Sequence, residues 1–185
     1  MLTIPDQYTS LELIDSITWD KIFDTWRQGE AHQESWKKHW EERDFDSWDE
    51  WRKAYAAPLN PEKLGWFLYK INEPLKEFPE IYGVPSHSWI EKAYDGKITM
   101  QLKDILNLPI IKANQKIIDI KKNFPAKTML TGLIWQDKII LIEGMHRACA
   151  LALPDLSIPL ESEITIALTN WPEKNMPIIG GNYKK

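Results

Sequence analysis

The residues best suited to chemistry lie together in Glu143-Gly144-Met145-His146-Arg147. An apolar, β-branched run, Ile139-Ile140-Leu141-Ile142, stops at Glu143-Gly144. An alanine- and leucine-rich run, Ala148 to Leu153, follows without a β-branched residue. The period changes at the glycine from strand-like to helix-like, so a strand feeds directly into a helix N-terminus. Such a terminus carries orphan N–H groups and the positive end of the helix dipole, which together bind anions. Gly144 lets a ligand come close to the backbone. Arg147 offers a planar fork suited to phosphate, and His146 a donor whose charge can change near neutral pH. Glu143 is a candidate acid or base, or simply the last residue of the strand. The plain alternative is an ordinary strand-to-helix junction with a surface arginine and an exposed first-turn histidine.

Elements that would position these residues are legible upstream. Asn114–Asn123 reads as a helix, and Met129–Trp135 and Lys138–Ile142 as strands joined by a tight turn at Gln136-Asp137. Downstream, Glu163–Trp171 alternates as a further strand that Pro172 ends. Pro177–Lys185, with Gly180-Gly181, reads as a frayed tail.

With these elements in place, Gly144-Met145-His146-Arg147-Ala148-Cys149-Ala150 resembles the G-x-x-R-x-x-A phosphate motif of the ParB/sulfiredoxin-like superfamily. The resemblance covers roughly residues 98 to 170. It implies an α/β (α+β) fold, a small mixed sheet with helices, formed mainly by residues after 98. It also implies a nucleotide, ATP or another, with its phosphates on Gly144, Met145, His146 and Arg147, and Mg²⁺ bridging them. Lys112 would be the lysine that the preceding helix offers to the phosphates. His146 and Glu143 would be the catalytic pair of a phosphotransferase or nucleotide hydrolase acting on a small-molecule acceptor, with Asp119 a second candidate base. Met145 stands where sulfiredoxin has its catalytic cysteine, so repair of sulfinic acids is not expected. ParB's second arginine is also missing, and about 35 residues after the motif helix are too few for its helix-turn-helix domain.

The front half has a different character. Six of the ten tryptophans fall between Trp19 and Trp51. Large apolar residues, mostly aromatic, recur there at helical spacing, as in Ile22, Phe23, Trp26 and again in Trp48, Trp51, Tyr55. Three helices are expected, with breaks near Gly29 and Asp44–Asp46 and a capping box at Ser47 and Glu50. Three readings of the aromatic stripe stand side by side: core packed on the sheet, a face that stacks on a planar ligand, or a surface that docks a protein partner or a second copy. The partner reading gives the alternative function, a non-enzymatic module regulated by a nucleotide or another anion. The expected division is therefore 1–60 as a tryptophan-rich helical extension, 61–97 as a loop-rich connection, 98–175 as the α/β domain and 176–185 as the tail.

Composition narrows the remaining classes. A formal net charge of −4 argues against broad nucleic-acid binding through phosphates. Lys112, Lys116, Lys121, Lys122 and Lys127 form a basic patch, most simply a solvated helix face. Cys149, the single cysteine, rules out an intrachain disulfide and is expected to be buried and inert. His32 and His39 lack the further ligands of a metal site, and no carboxylate cluster supports a nuclease. Ser86-His87-Ser88 lacks the framing of a catalytic serine. No basic, apolar leader opens the chain and no apolar run reaches membrane length, so a cytoplasmic protein without a membrane partner is expected.

Overall fold

In the computed structural model, residues 2–154 and 162–181 are described. The fold is mixed α/β, built on a five-stranded mixed sheet in the order β1-β2-β5-β3-β4. The strands are β1 (Leu11–Ile17), β2 (Trp66–Ile71), β3 (Lys127–Trp135), β4 (Lys138–Glu143) and β5 (Glu163–Asn170). All neighbours are antiparallel except β3 and β5, which run parallel from Lys127↔Glu163 to Ile134↔Asn170.

The β3–β4 hairpin forms where the sequence places it. Gln136 and Asp137 both take positive φ, 49° and 59°, the geometry of a two-residue hairpin turn that matches strand twist. The front half supplies three helices: α1 (Trp19–Glu30), α2 (Glu34–Glu41) and α3 (Trp48–Ala56). Ser47 Oγ accepts from Glu50 N at 3.2 Å and so caps α3. Glu50 reaches back to Asp46 N at 3.0 Å, one residue earlier than a standard capping box.

Two expectations change. Residues 1–60 are not wholly helical, because they include β1; the sheet is formed mainly by residues after 98, as expected, and β1 and β2 extend it through the β2–β5 pairing. The signal for β1 was an apolar alternation at Leu11, Leu13 and Ile17, broken by a register shift between Leu13 and Asp15. The expected tail is also ordered through Gly181. Ile179 is fully buried and donates to Pro85 O at 2.9 Å, because its side chain completes a core that the local sequence does not reveal. Its residues 182–185 lie outside the described residues.

Four short helices and one longer one fill the space between β2 and β3: α4 (Pro74–Glu77), α5 (His87–Ala93), α6 (Leu102–Ile105), α7 (Pro109–Lys112) and α8 (Gln115–Lys122). Asn114 caps α8 by accepting from Ile117 N at 3.2 Å. The motif helix α9 (Met145–Ala152) packs against α8. Its alanines, Cys149 and Leu151 are buried in the same core as Trp19, Trp26, Trp48 and Trp51. For those four tryptophans the core reading holds. Burial pushes the Cys149 thiol up to about 12, which leaves it protonated and inert at neutral pH.

Candidate functional site

The strand-to-helix junction is built as the sequence implies. Gly144 is the N-cap of α9 at φ 91°, ψ 15°, and no side chain caps the helix. A Cβ at Gly144 would stand 2.8 Å from Leu130 Cδ2, so both backbone angle and packing require glycine. The first N–H groups of α9 are thus left for a ligand or solvent.

This terminus opens on a cleft of about 980 Å³ between the tryptophan-rich helices and α5, α8 and α9. That is the upper range for a small-molecule site. Six lysines and arginines line it against three glutamates, although the whole chain carries −4. The lining therefore carries a local excess of positive charge, opposite in sign to the net charge of the chain.

Arg147 does not hold an open fork towards the ligand. Its Nη2 donates to both Glu143 oxygens, at 2.6 and 2.7 Å. Its Nη1 donates to Met129 O at 3.2 Å and to Thr128 Oγ1. Both Nη groups are thus engaged by β3 and Glu143, so the side chain mainly braces the β4–α9 junction. Glu143 is buried. Burial pushes its pKa above the usual carboxylate range, while the Arg147 charge pulls the other way. With both oxygens chelated, Glu143 is not poised to take a proton from an acceptor.

His146 lines the cleft with its ring edge-on to Trp89, 5.8 Å between centroids. Burial, reinforced by the charges of Lys116 and Arg147, lowers its pKa to about 4. The imidazole is neutral at physiological pH and offers one donor and one acceptor rather than a positive charge. Met145 is largely buried, yet it is among the residues that line the cleft.

The two candidate lysines of this region are placed differently. Lys112 is exposed at the end of α7 and does not line the cleft, whereas Lys116 on α8 does. Lys116 Nζ sits 4.2 Å from the centre of the Trp36 ring, and among the described residues no carboxylate lies within salt-bridge distance of it. Burial lowers its pKa. The spacing Lys112–Lys116 is one helical turn, so the sequence contained both candidates. Only the break between α7 and α8 decides between them.

Asp119 is exposed and accepts from Gln115 Nε2 at 2.7 Å, away from the cleft. Ser86-His87-Ser88 forms the start of α5 and lines the cleft, and among the described residues neither serine is hydrogen-bonded to the imidazole. No sign in the sequence pointed to a buried ion pair that lines the cleft, between Glu30 of α1 and Arg52 of α3. Arg52 Nε donates to Glu30 Oε2 at 2.7 Å, and Trp48 Nε1 donates to the same oxygen at 3.2 Å. The i+22 separation gives no local signal.

Among the described residues, no group of three metal-ligating side chains occurs. The buried carboxylates of the cleft, Glu30 and Glu143, are each already held by an arginine. This donor set fits a phosphate-bearing ligand and does not fit a protein-held Mg²⁺. No helix is long and apolar enough to cross a membrane among the described residues. No protein-family model matches the chain, and neither a curated protein nor a solved structure matches it.

Proposed function

We propose that this chain is a nucleotide-binding protein of the ParB/sulfiredoxin-like kind, whose ligand sets its phosphates against the N-terminus of α9. One observation carries the reading: the uncapped, glycine-started terminus of α9 opens into a cleft where cations outnumber carboxylates two to one. Backbone N–H groups of the first turn would hold the phosphate oxygens, and Lys116 would supply the mobile charge. His146 would donate as a neutral imidazole. Arg147 contributes its charge and holds the junction in shape. Any Mg²⁺ would arrive with the nucleotide, held by the phosphates themselves.

Binding is better supported than turnover, because the one buried carboxylate at the junction, Glu143, is locked to Arg147. Phosphotransfer or hydrolysis is the second reading, and it rests on the neutral His146 facing the cleft. In that reading, His146→Ala lowers the rate more than the affinity, the pattern of an interaction made chiefly in the transition state.

Calorimetric titration of ATP and of inorganic tripolyphosphate into the wild type and Lys116→Ala tests the binding reading. The variant is expected to bind about 1.5–3 kcal/mol more weakly, the scale of a hydrogen bond to a charged group. Lys116 is chosen over Arg147 because it holds no ion pair among the described residues. Affinity unchanged in the variant, or no heat with either ligand, would remove this reading.

A further inference from the structure

The front-half tryptophans divide sharply by environment. Trp19, Trp26, Trp48 and Trp51 are buried in the core, whereas Trp36 and Trp40 are half-buried on α2, which has no fully buried residue, and of these two only Trp36 lines the cleft. One side of the Trp36 ring packs against the core, and the residue also lines the cleft. The ring is firmly placed. Trp36 packs on Trp51, 5.5 Å between centroids at 33°, and Trp51 packs on Tyr55 at 6.5 Å. Tyr55 in turn meets Trp26 at 6.3 Å, and Trp26 Nε1 donates to Thr131 of β3 at 2.9 Å. A line of rings thus runs from the sheet to the cleft and ends at Trp36. The guanidinium of Arg52 lies against four of its rings and is itself anchored by Glu30. An aromatic platform held this way loses little rotamer freedom when a flat ligand lands on it.

The group now standing over that platform is the Lys116 ammonium, a half-buried cation on a flexible stem. Its charge also reaches His146 at the start of α9. One lysine therefore lies between the aromatic end of the cleft and its anion end.

We infer that Trp36 is the stacking platform for the planar base of a nucleoside phosphate, and that Lys116 holds the place of the base until ligand enters. The base takes the position over the indole, and the released ammonium swings to the phosphates at α9. Stacking on an indole face tolerates any base, so the platform supplies affinity while the hydrogen-bonding edge of the base faces the rest of the cleft. The inference rests on the phosphate reading for the direction in which the ligand lies, but the platform has its own readout.

The test is calorimetry of ATP, adenosine and inorganic tripolyphosphate on the wild type, Trp36→Ala and Trp36→Phe, with thermal melts confirming that each variant folds. Trp36→Ala is expected to weaken ATP and adenosine by about tenfold or more and to leave tripolyphosphate unchanged, with Trp36→Phe recovering most of the loss. If tripolyphosphate binds while ATP binds no tighter and ignores Trp36→Ala, the platform is wrong and the phosphate reading survives. If adenosine binds through Trp36 while tripolyphosphate does not bind, the platform survives and the phosphate reading falls. An equal loss of all three ligands in Trp36→Ala would also overturn the platform, because the ring would then only support the cleft.

Discussion

Two arginine–glutamate pairs border the same cleft, and they behave differently because their surroundings differ. Arg52–Glu30 joins α3 to α1 and is sealed, with side-chain exposures of 6% and 11%. Aromatic rings surround the arginine, and Trp48 adds a third donor to the glutamate. Arg147–Glu143 spans only four residues and is open on one side, at 26% and 7%. Its further partners are a hydroxyl and a carbonyl of β3 rather than rings. A sealed pair can act only through the shape it imposes, here the relative placement of two helices and the tryptophans on them. An open pair beside a helix N-terminus stays within reach of whatever binds there. The sealed pair thus fixes the architecture of the front half at the cleft, and the open pair fixes the β4–α9 junction that faces the same space.

The largest expected effect breaks the sealed pair. Arg52→Ala leaves Glu30 buried without its partner and removes the guanidinium from four rings. Urea unfolding should show a loss of about 3–5 kcal/mol. A loss below about 1 kcal/mol would mean that the pair is not the brace described.

Acid should act on the junction next. His146 has a folded-state pKa of about 4 against an ordinary 6.5. Between those values the unfolded chain binds a proton that the folded chain refuses, so stability is lost as pH falls from about 6.5 to about 4. The loss attributable to this one group is up to about 3 kcal/mol. His39, also lowered by burial, acts in the same direction. Subtracting the profile of His146→Asn from that of the wild type isolates His146, and identical profiles would contradict its burial as a neutral ring.

Breaking the open pair should cost less than breaking the sealed one. Arg147→Ala removes the charge-assisted bonds to Glu143, with an expected loss of about 2–3 kcal/mol near neutral pH. Glu143, already pushed upward by burial, then protonates more readily in the fold than in the unfolded chain. A raised carboxylate favours the folded state at low pH and loses that advantage as pH rises, so the deficit should be smaller at pH 5 than at pH 8. A pH-independent deficit, or one matching Arg52→Ala, would erase the distinction between the two pairs.

What the sequence determined by itself is local in origin. The Gln136-Asp137 turn, the strands on either side of it, the Ser47 cap and the glycine start of α9 all follow from preferences acting within a few residues. Those signals placed Glu143, Gly144, His146 and Arg147 at a helix N-terminus. The tertiary structure decided what those residues face. Pairing of β2 with β5 brought residues about a hundred positions apart into register. Folding of α8 against α9 put Lys116, not Lys112, in the cleft, and the docking of Ile179 turned an expected tail into core. The same burial neutralised His146 and closed Glu143 on Arg147. Charge state and partner depend on the solvent each side chain loses, and only the assembled molecule sets how much water is left around it.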